Sequence, residues 1–277
     1  MDLSWLQSIL FGLVSGFTEI LPVSARAHEM LLLWFFGADQ QPLLQLFVKL
    51  GVLAGLLIAC RGSVAKIRRE QRLRRLPRKR RKRQPDFRIL MDVKFLKVAA
   101  IPLLLLLFFR IKTREWDDSF TLVPIFLVLN GIFLFIPERI SSGNKDSLTL
   151  SPLDGLLIGL FGGLSALPGI STLGMLTSAA AIRGTDRQHG LNLALLLYIP
   201  VMVLLLCFDL FAIVTTGLSG ITFLVILQCI LAAAAALFGT VSAVSVLRFL
   251  AVKVGFSGFA YYSWGIALFT FLMFLTT

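Results

Sequence analysis

The chain has 277 residues, 57% of them hydrophobic, with 24 phenylalanines and a formal net charge of +12. Its mean hydropathy is +0.87. A soluble domain of this length would be nearer half apolar, with alternating or amphipathic periods; the recurring apolar runs here, near the roughly 20 residues that cross a hydrocarbon core, exclude a soluble globular fold.

In chain order, the first apolar segment is interrupted. Residues 12–28, GLVSGFTEILPVSARAH, carry Glu19, Pro22, Ser24, Arg26 and His28. No basic leader precedes them, so the segment does not read as a cleavable signal. A break near Pro22 makes the first about 36 residues a re-entrant helical pair that enters and leaves on one face. Uninterrupted spans follow at Leu43–Cys60, Phe95–Phe109 (extended by Val93 and Ile111), Phe120–Ile136, Leu191–Val214, Ile221–Val246 and Phe259–Thr276. The expectation is an all-α polytopic membrane protein with about six transmembrane helices, because only helices and closed barrels satisfy every backbone group in lipid. Cys60, Cys207 and Cys229 lie in or at the ends of apolar helices, without zinc-ligand spacing, and read as small buried apolar residues.

The charge is concentrated. Fifteen of the 27 Lys and Arg fall between Arg61 and Lys94, including RKRRKR at 78–83. Such a run between two spans reads as a solvated, flexible cytoplasmic loop that lies against anionic headgroups of a bacterial inner membrane. A nucleic-acid partner is not expected. Alternation then puts residues 110–119 outside, 137–154 and 183–190 inside, and both termini outside.

The opening stretch has a counterpart. GLVSGFTEILP (12–22) is similar to GLFGGLSALP (159–168), one residue being gapped. Both contain G-L-x-x-G, a hydroxyl (Thr18, Ser165), Leu-Pro and a downstream serine (Ser24, Ser171). Corresponding interrupted segments in two halves point to an inverted repeat with a site at the bilayer midplane. The expected organisation is one membrane domain, 1–277, with halves at about 1–136 and about 152–277 and two re-entrant pairs whose broken tips meet. Half-helix N-termini favour anions, and Glu19 and Arg26 are costly in lipid unless paired, which marks a functional site. A structural ion pair or a headgroup-level snorkel is the plainer alternative.

At these residues the chain resembles the undecaprenyl-diphosphate phosphatase family, integral membrane proteins also linked to bacitracin resistance. SGFTEILPVSARAH (15–28) is similar to the family's EGxTEFLPVSSTGH, and PGISTLGMLT (168–177) to its PGxSRSGxT. GTDRQHGLNLALLLYIP (184–200) and LFVKLGVLAGLLIA (46–59) extend the resemblance over essentially the whole chain. It implies an inverted-repeat fold and removal of one phosphate from a C55 diphosphate lipid carrier used in cell-wall synthesis. It also implies roles for Glu19, Ser24 and His28 in catalysis, for Ser171, Thr172 and Gly169 in phosphate binding, and for Glu19 as a ligand if Mg²⁺ or Ca²⁺ takes part.

The motifs are incomplete. Ser15 stands where the family has its first glutamate, Ala25 at its second serine, Thr172 at its arginine and Lys49 at its usual glutamine. Arg26 and Lys49 are cations the family motif lacks, and both are expected to take over phosphate binding; snorkelling to headgroups is the alternative for Lys49. Two further readings remain at this level. One is a disabled relative that carries or flips the lipid phosphate, and the other is a partner of cell-envelope enzymes docked through the basic segment.

Overall fold

The computed structural model describes every residue except 1–2, 82, 117–118, 141–142, 217–221, 254 and 277. Those residues form helices and turns, with one isolated bridge between Lys145 and Thr185.

Ser4 caps α1 (Trp5–Ile20) through a reciprocal box with Gln7. The helix stops there because Pro22 pushes the preceding Leu21 into an extended conformation. After a short turn α2 (Ala25–Phe36) runs to Gly37, whose φ of +59° provides the left-handed stop. Then come α3 (Pro42–Ala59), α4 (Arg61–Arg75), α5 (Phe87–Leu107), the single turn α6 (Arg110–Thr113) and α7 (Leu122–Phe135). The second hairpin, α8 (Pro152–Gly163) and α9 (Thr172–Ile182), leads into α10 (Arg187–Thr216), α11 (Phe223–Lys253) and α12 (Ser257–Thr276).

Five helical stretches among the described residues are long and apolar enough to cross a membrane: Pro42–Ala59, Leu122–Arg139, Arg187–Thr215, Phe223–Leu250 and Ser257–Leu275. The sixth expected span corresponds to α5, which has the length at 21 residues. Its first half carries Asp92, Lys94 and Lys97, so composition alone does not mark it. Three long helices, α3, α5 and α7, separate the hairpins.

The basic segment is not an open loop. Most of residues 61–75 are Arg, Lys, Gln, Glu, Leu or Ala, good helix formers, and the segment forms α4, with Pro77 just past its end. The chain then folds back: Glu70 accepts from Arg83 and from the Asp86 amide, and Arg81 donates to the carbonyls of Arg74 and Leu76. The Arg83 hydrogen bond, with that of the Asp86 amide, holds the Glu70 carboxyl below the usual glutamate range. Of the three cysteines, Cys60 and Cys229 are buried as expected, whereas Cys207 is exposed on the surface of α10.

The halves are exchanged in their packing. α1 packs most extensively on α11 and α8 on α5, so the entry helix of each hairpin lies against a long helix of the other half. Small residues allow this closeness. A Cβ added to Gly12 or Gly16 would lie 2.2 Å from the carbonyl oxygen of Ala232 or Ala236, and one added to Gly159 would lie 2.1 Å from that of Ala99.

The two breaks meet through one buried side chain. Asn130 of α7, fully shielded from solvent, donates from Nδ2 to the Pro22 carbonyl at 3.1 Å and to Ser263 Oγ at 3.1 Å, and its Oδ1 accepts from the Ser171 amide at 2.9 Å. Ser171 Oγ also donates to the Leu21 carbonyl at 3.4 Å. The irregular backbone is thereby satisfied by protein, as membrane depth requires. Asn130→Ala strands the Pro22 carbonyl and the Ser171 amide together. It is expected to cost roughly 2–6 kcal/mol, from about 1–3 kcal/mol for each of the two buried unpaired groups. Thermal unfolding in detergent, compared with the surface variant Leu6→Ala, checks this.

Candidate active site

A polar cavity lies between the first hairpin, α3, α6 and α10. Glu19 enters it from the last turn of α1, and Arg26 and Glu29 from the first turns of α2; Lys49 comes from α3, Arg110 from α6 and Asp209 from α10. Gln40 and Gln45 add neutral polar groups, and Met30, Leu33 and Leu205 supply the apolar wall. The helix break brings these charges together. The turn at residues 21–24 reverses the chain, and Arg26 and Glu29, three residues apart, project from one face of α2.

Several of these charges are held in place. Lys49 Nζ lies 2.5 Å from Asp209 Oδ2, tying α3 to α10. The hydroxyl of Tyr198, buried on α10, donates to Glu19. Arg26 reaches across to the second hairpin, where its Nη2 donates to the Ser165 carbonyl at 3.1 Å. There Thr172 Oγ1 donates to Ser165 Oγ at 2.8 Å. The guanidinium of Arg26 thus comes to the segment that contains Thr172, but from the opposite hairpin.

Beside this cavity, and sharing Lys49, Arg110, Leu205 and Asp209 with it, runs a groove along α10. Ile111, Phe208, Phe211 and Ala212 give it an apolar lining. A charged chamber therefore opens onto an apolar channel at the bundle's surface.

The other residues singled out from sequence stand outside the cavity lining. His28 is buried, its Nδ1 lies 2.8 Å from the Ser24 carbonyl and its Nε2 2.7 Å from the Tyr262 hydroxyl, with the rings stacked at 5.7 Å. A carbonyl can only accept, so a neutral ring carries its proton on Nδ1 and Nε2 accepts from Tyr262. Ser24 has φ +64°, the one positive φ outside glycine among the described residues, and leaves the start of α2 without a side-chain cap. His28 is placed to brace that strained turn. Ser171 caps α9, accepting from the Gly174 amide at 3.2 Å. Gly169, at φ +86°, lies where a Cβ would meet the Val123 carbonyl at 2.7 Å. Both shape the second break.

The sequence reading passed over Glu29, Arg110, Tyr198 and Asp209. Asp209 carried a usable signal, being the one acidic residue within the apolar helix α10. Glu29, the one acidic residue of α2, carried the same signal, and Tyr198 carried none. No group of three or more His, Cys, Asp or Glu that could hold a metal ion occurs among the described residues. Glu19 and Glu29 both line the cavity, from α1 and α2. Glu19 suits Mg²⁺ only when substrate phosphate oxygens and water complete the shell.

The model of the bacitracin resistance protein BacA family matches residues 8–269. Among curated proteins, the undecaprenyl-diphosphatase of Carboxydothermus hydrogenoformans is 32% identical over 261 residues, covering 93% of both chains. That of Alkaliphilus metalliredigens is 26% identical over 264 residues, covering 93% of this chain and 94% of its own. That of a Nocardioides species is 28% identical over 204 residues, 72% of each.

Proposed function

The chain belongs to the bacitracin resistance BacA family, and from that membership we propose that it hydrolyses undecaprenyl diphosphate to the monophosphate and inorganic phosphate. The observation that carries this reading is the charged cavity continuous with the apolar groove along α10. A polyprenyl diphosphate needs both: cations and proton acceptors for the head, and an apolar path to lipid for the tail.

The transferring phosphoryl group gathers negative charge, and fixed cations lower the barrier because they are oriented before the reaction. Arg26, Lys49 and Arg110 fill that role here. Glu19, oriented by Tyr198, belongs to the proton-handling side of the chemistry. The strained Ser24 turn sets the spacing between Glu19 and Arg26, and His28 and Tyr262 hold the turn. A divalent cation, if used, would sit against Glu19 and would neutralise phosphate charge.

The protein is a multi-pass membrane protein. In the reading favoured here it resides in a bacterial inner membrane, with the basic segment 61–94 on the cytoplasmic side against anionic headgroups. The polar cavity then faces outward.

The test is phosphate release from C55 diphosphate by the purified full chain in detergent, with and without Mg²⁺ or Ca²⁺. Turnover is expected in the wild type and its loss in Glu19→Gln. A folded wild type without turnover under either condition overturns the proposal.

A further inference from the structure

Three carboxylates line the polar cavity. Asp209 is paired with Lys49, and Glu19 accepts from Tyr198. Glu29 has a different setting. It lies within electrostatic reach of Glu19, Lys49 and Arg26, and beside the Ser15 hydroxyl. A carboxylate next to another carboxylate at membrane depth is costly, and packing alone would not retain it. Its neighbours supply cations enough to tolerate it and a cavity in which it can meet a ligand.

Ser15 sharpens the point. It lies one helical turn before Glu19 on the same face of α1, four residues away. It is 1% exposed, and its Oγ makes no hydrogen bond of ordinary geometry. A residue on α1 that could carry a second acid toward the cavity thus carries only a small hydroxyl. That hydroxyl stands beside Glu29 across the hairpin.

We propose that Glu29 is a catalytic residue, supplying from α2 the second acid–base carboxylate of the site, where Ser15 on α1 offers only a hydroxyl. This rests on the phosphatase reading above. In the step it serves, a water oxygen attacks the terminal phosphorus of the lipid diphosphate. The new P–O bond forms as the bond from that phosphorus to the bridging oxygen breaks, and its electron pair leaves with the lipid monophosphate. The proton lost by the water passes to the Glu29 carboxylate and from there to solvent. Glu19, with one oxygen engaged by Tyr198, orients the water, and Arg26 and Lys49 bear on the phosphate oxygens.

The position of the carboxylate, rather than of residue 29 itself, is what matters, and this makes the inference testable by transplantation. Phosphate release from C55 diphosphate is measured for the wild type, Glu29→Gln, and the double variant Ser15→Glu with Glu29→Gln, each checked for folding by its unfolding midpoint. Glu29→Gln is expected to lose about 10²-fold or more of the wild-type rate, within the range for a general base. The double variant is expected to regain about tenfold or more of that loss, an effect that repair of a merely structural defect would not produce. Turnover of Glu29→Gln within about threefold of the wild type overturns the proposal. So does a folded double variant no faster than Glu29→Gln. If Glu29→Gln does not fold, the double variant, which conserves charge, decides alone: turnover in it supports the proposal, and a folded, inactive protein overturns it. An inactive wild type would instead overturn the phosphatase reading itself.

Discussion

Arg26→Gln is expected to lower kcat for phosphate release by about three powers of ten or more, the lower bound for losing an arginine from a transferring phosphoryl group. Arg26 lies in the first turn of α2, lines the cavity with Glu19 and Glu29, and reaches the Ser165 carbonyl in the other hairpin's break. It is thus the cation that spans both breaks. Thr172, bonded to the side chain of that same serine, is the position at which the resembling motif has arginine. Arg26→Lys is expected to recover only part of the loss, because an ammonium keeps the charge but not the planar fork. The discriminating readout is kcat against KM for C55 diphosphate. A loss confined to KM would make Arg26 a ground-state anchor, and a loss in kcat places it at the developing charge. Equal unfolding midpoints in the two variants would separate either result from misfolding.

The second large effect is on assembly. Gly16→Leu is expected to destabilise the protein by at least about 3 kcal/mol, at the upper end of overpacking costs. Here the obstacle is backbone rather than a movable side chain. Even the first added carbon at position 16 would lie 2.2 Å from the Ala236 carbonyl oxygen, and Thr240 Oγ1 already donates to the Gly16 carbonyl at 3.0 Å. α1 would have to move away from α11 and would carry Glu19 with it. Against a typical total of about 5–15 kcal/mol, the loss should appear as a collapsed monodisperse peak in size-exclusion chromatography. Leu6→Ala, on the exposed side of the same helix, should leave the peak intact.

Much of this architecture was legible from residue order. Long apolar runs announced the spans, and Pro22 and the second G-L-x-x-G…Leu-Pro stretch located both breaks and their meeting. α5 shows where composition misleads, because Asp92, Lys94 and Lys97 dilute a helix that has the length to cross. The basic run misled in the other direction. Like charges suggested an open loop, but arginine and lysine are good helix formers, and one glutamate, Glu70, gathers the fold-back.

The site was legible only in part. Glu19, Arg26 and Lys49 could be found because a charge in an apolar context needs a reason. Their partners Tyr198 and Asp209 lie on α10, more than 150 residues away, and nothing local links them. His28 likewise has a distant partner. The residue type fits acid–base chemistry, but its ring direction depends on Tyr262 of α12, a contact that spans 234 positions.

The exchange of packing between the halves has a consequence for biosynthesis. α1 is made first, yet its main partner α11 begins at Phe223. At about 5–20 residues per second, some 220 residues must be added between Gly12 and Ala232, a wait of roughly 10–45 s. Throughout that interval the nascent first hairpin, with Glu19, Arg26 and Glu29 on it, lies in the membrane without the helix that will cover its glycine face. The cavity itself draws Leu205 and Asp209 from α10. It is therefore complete only after the chain has passed α10, well into its last third, while the glycine face of α1 waits longer still for α11.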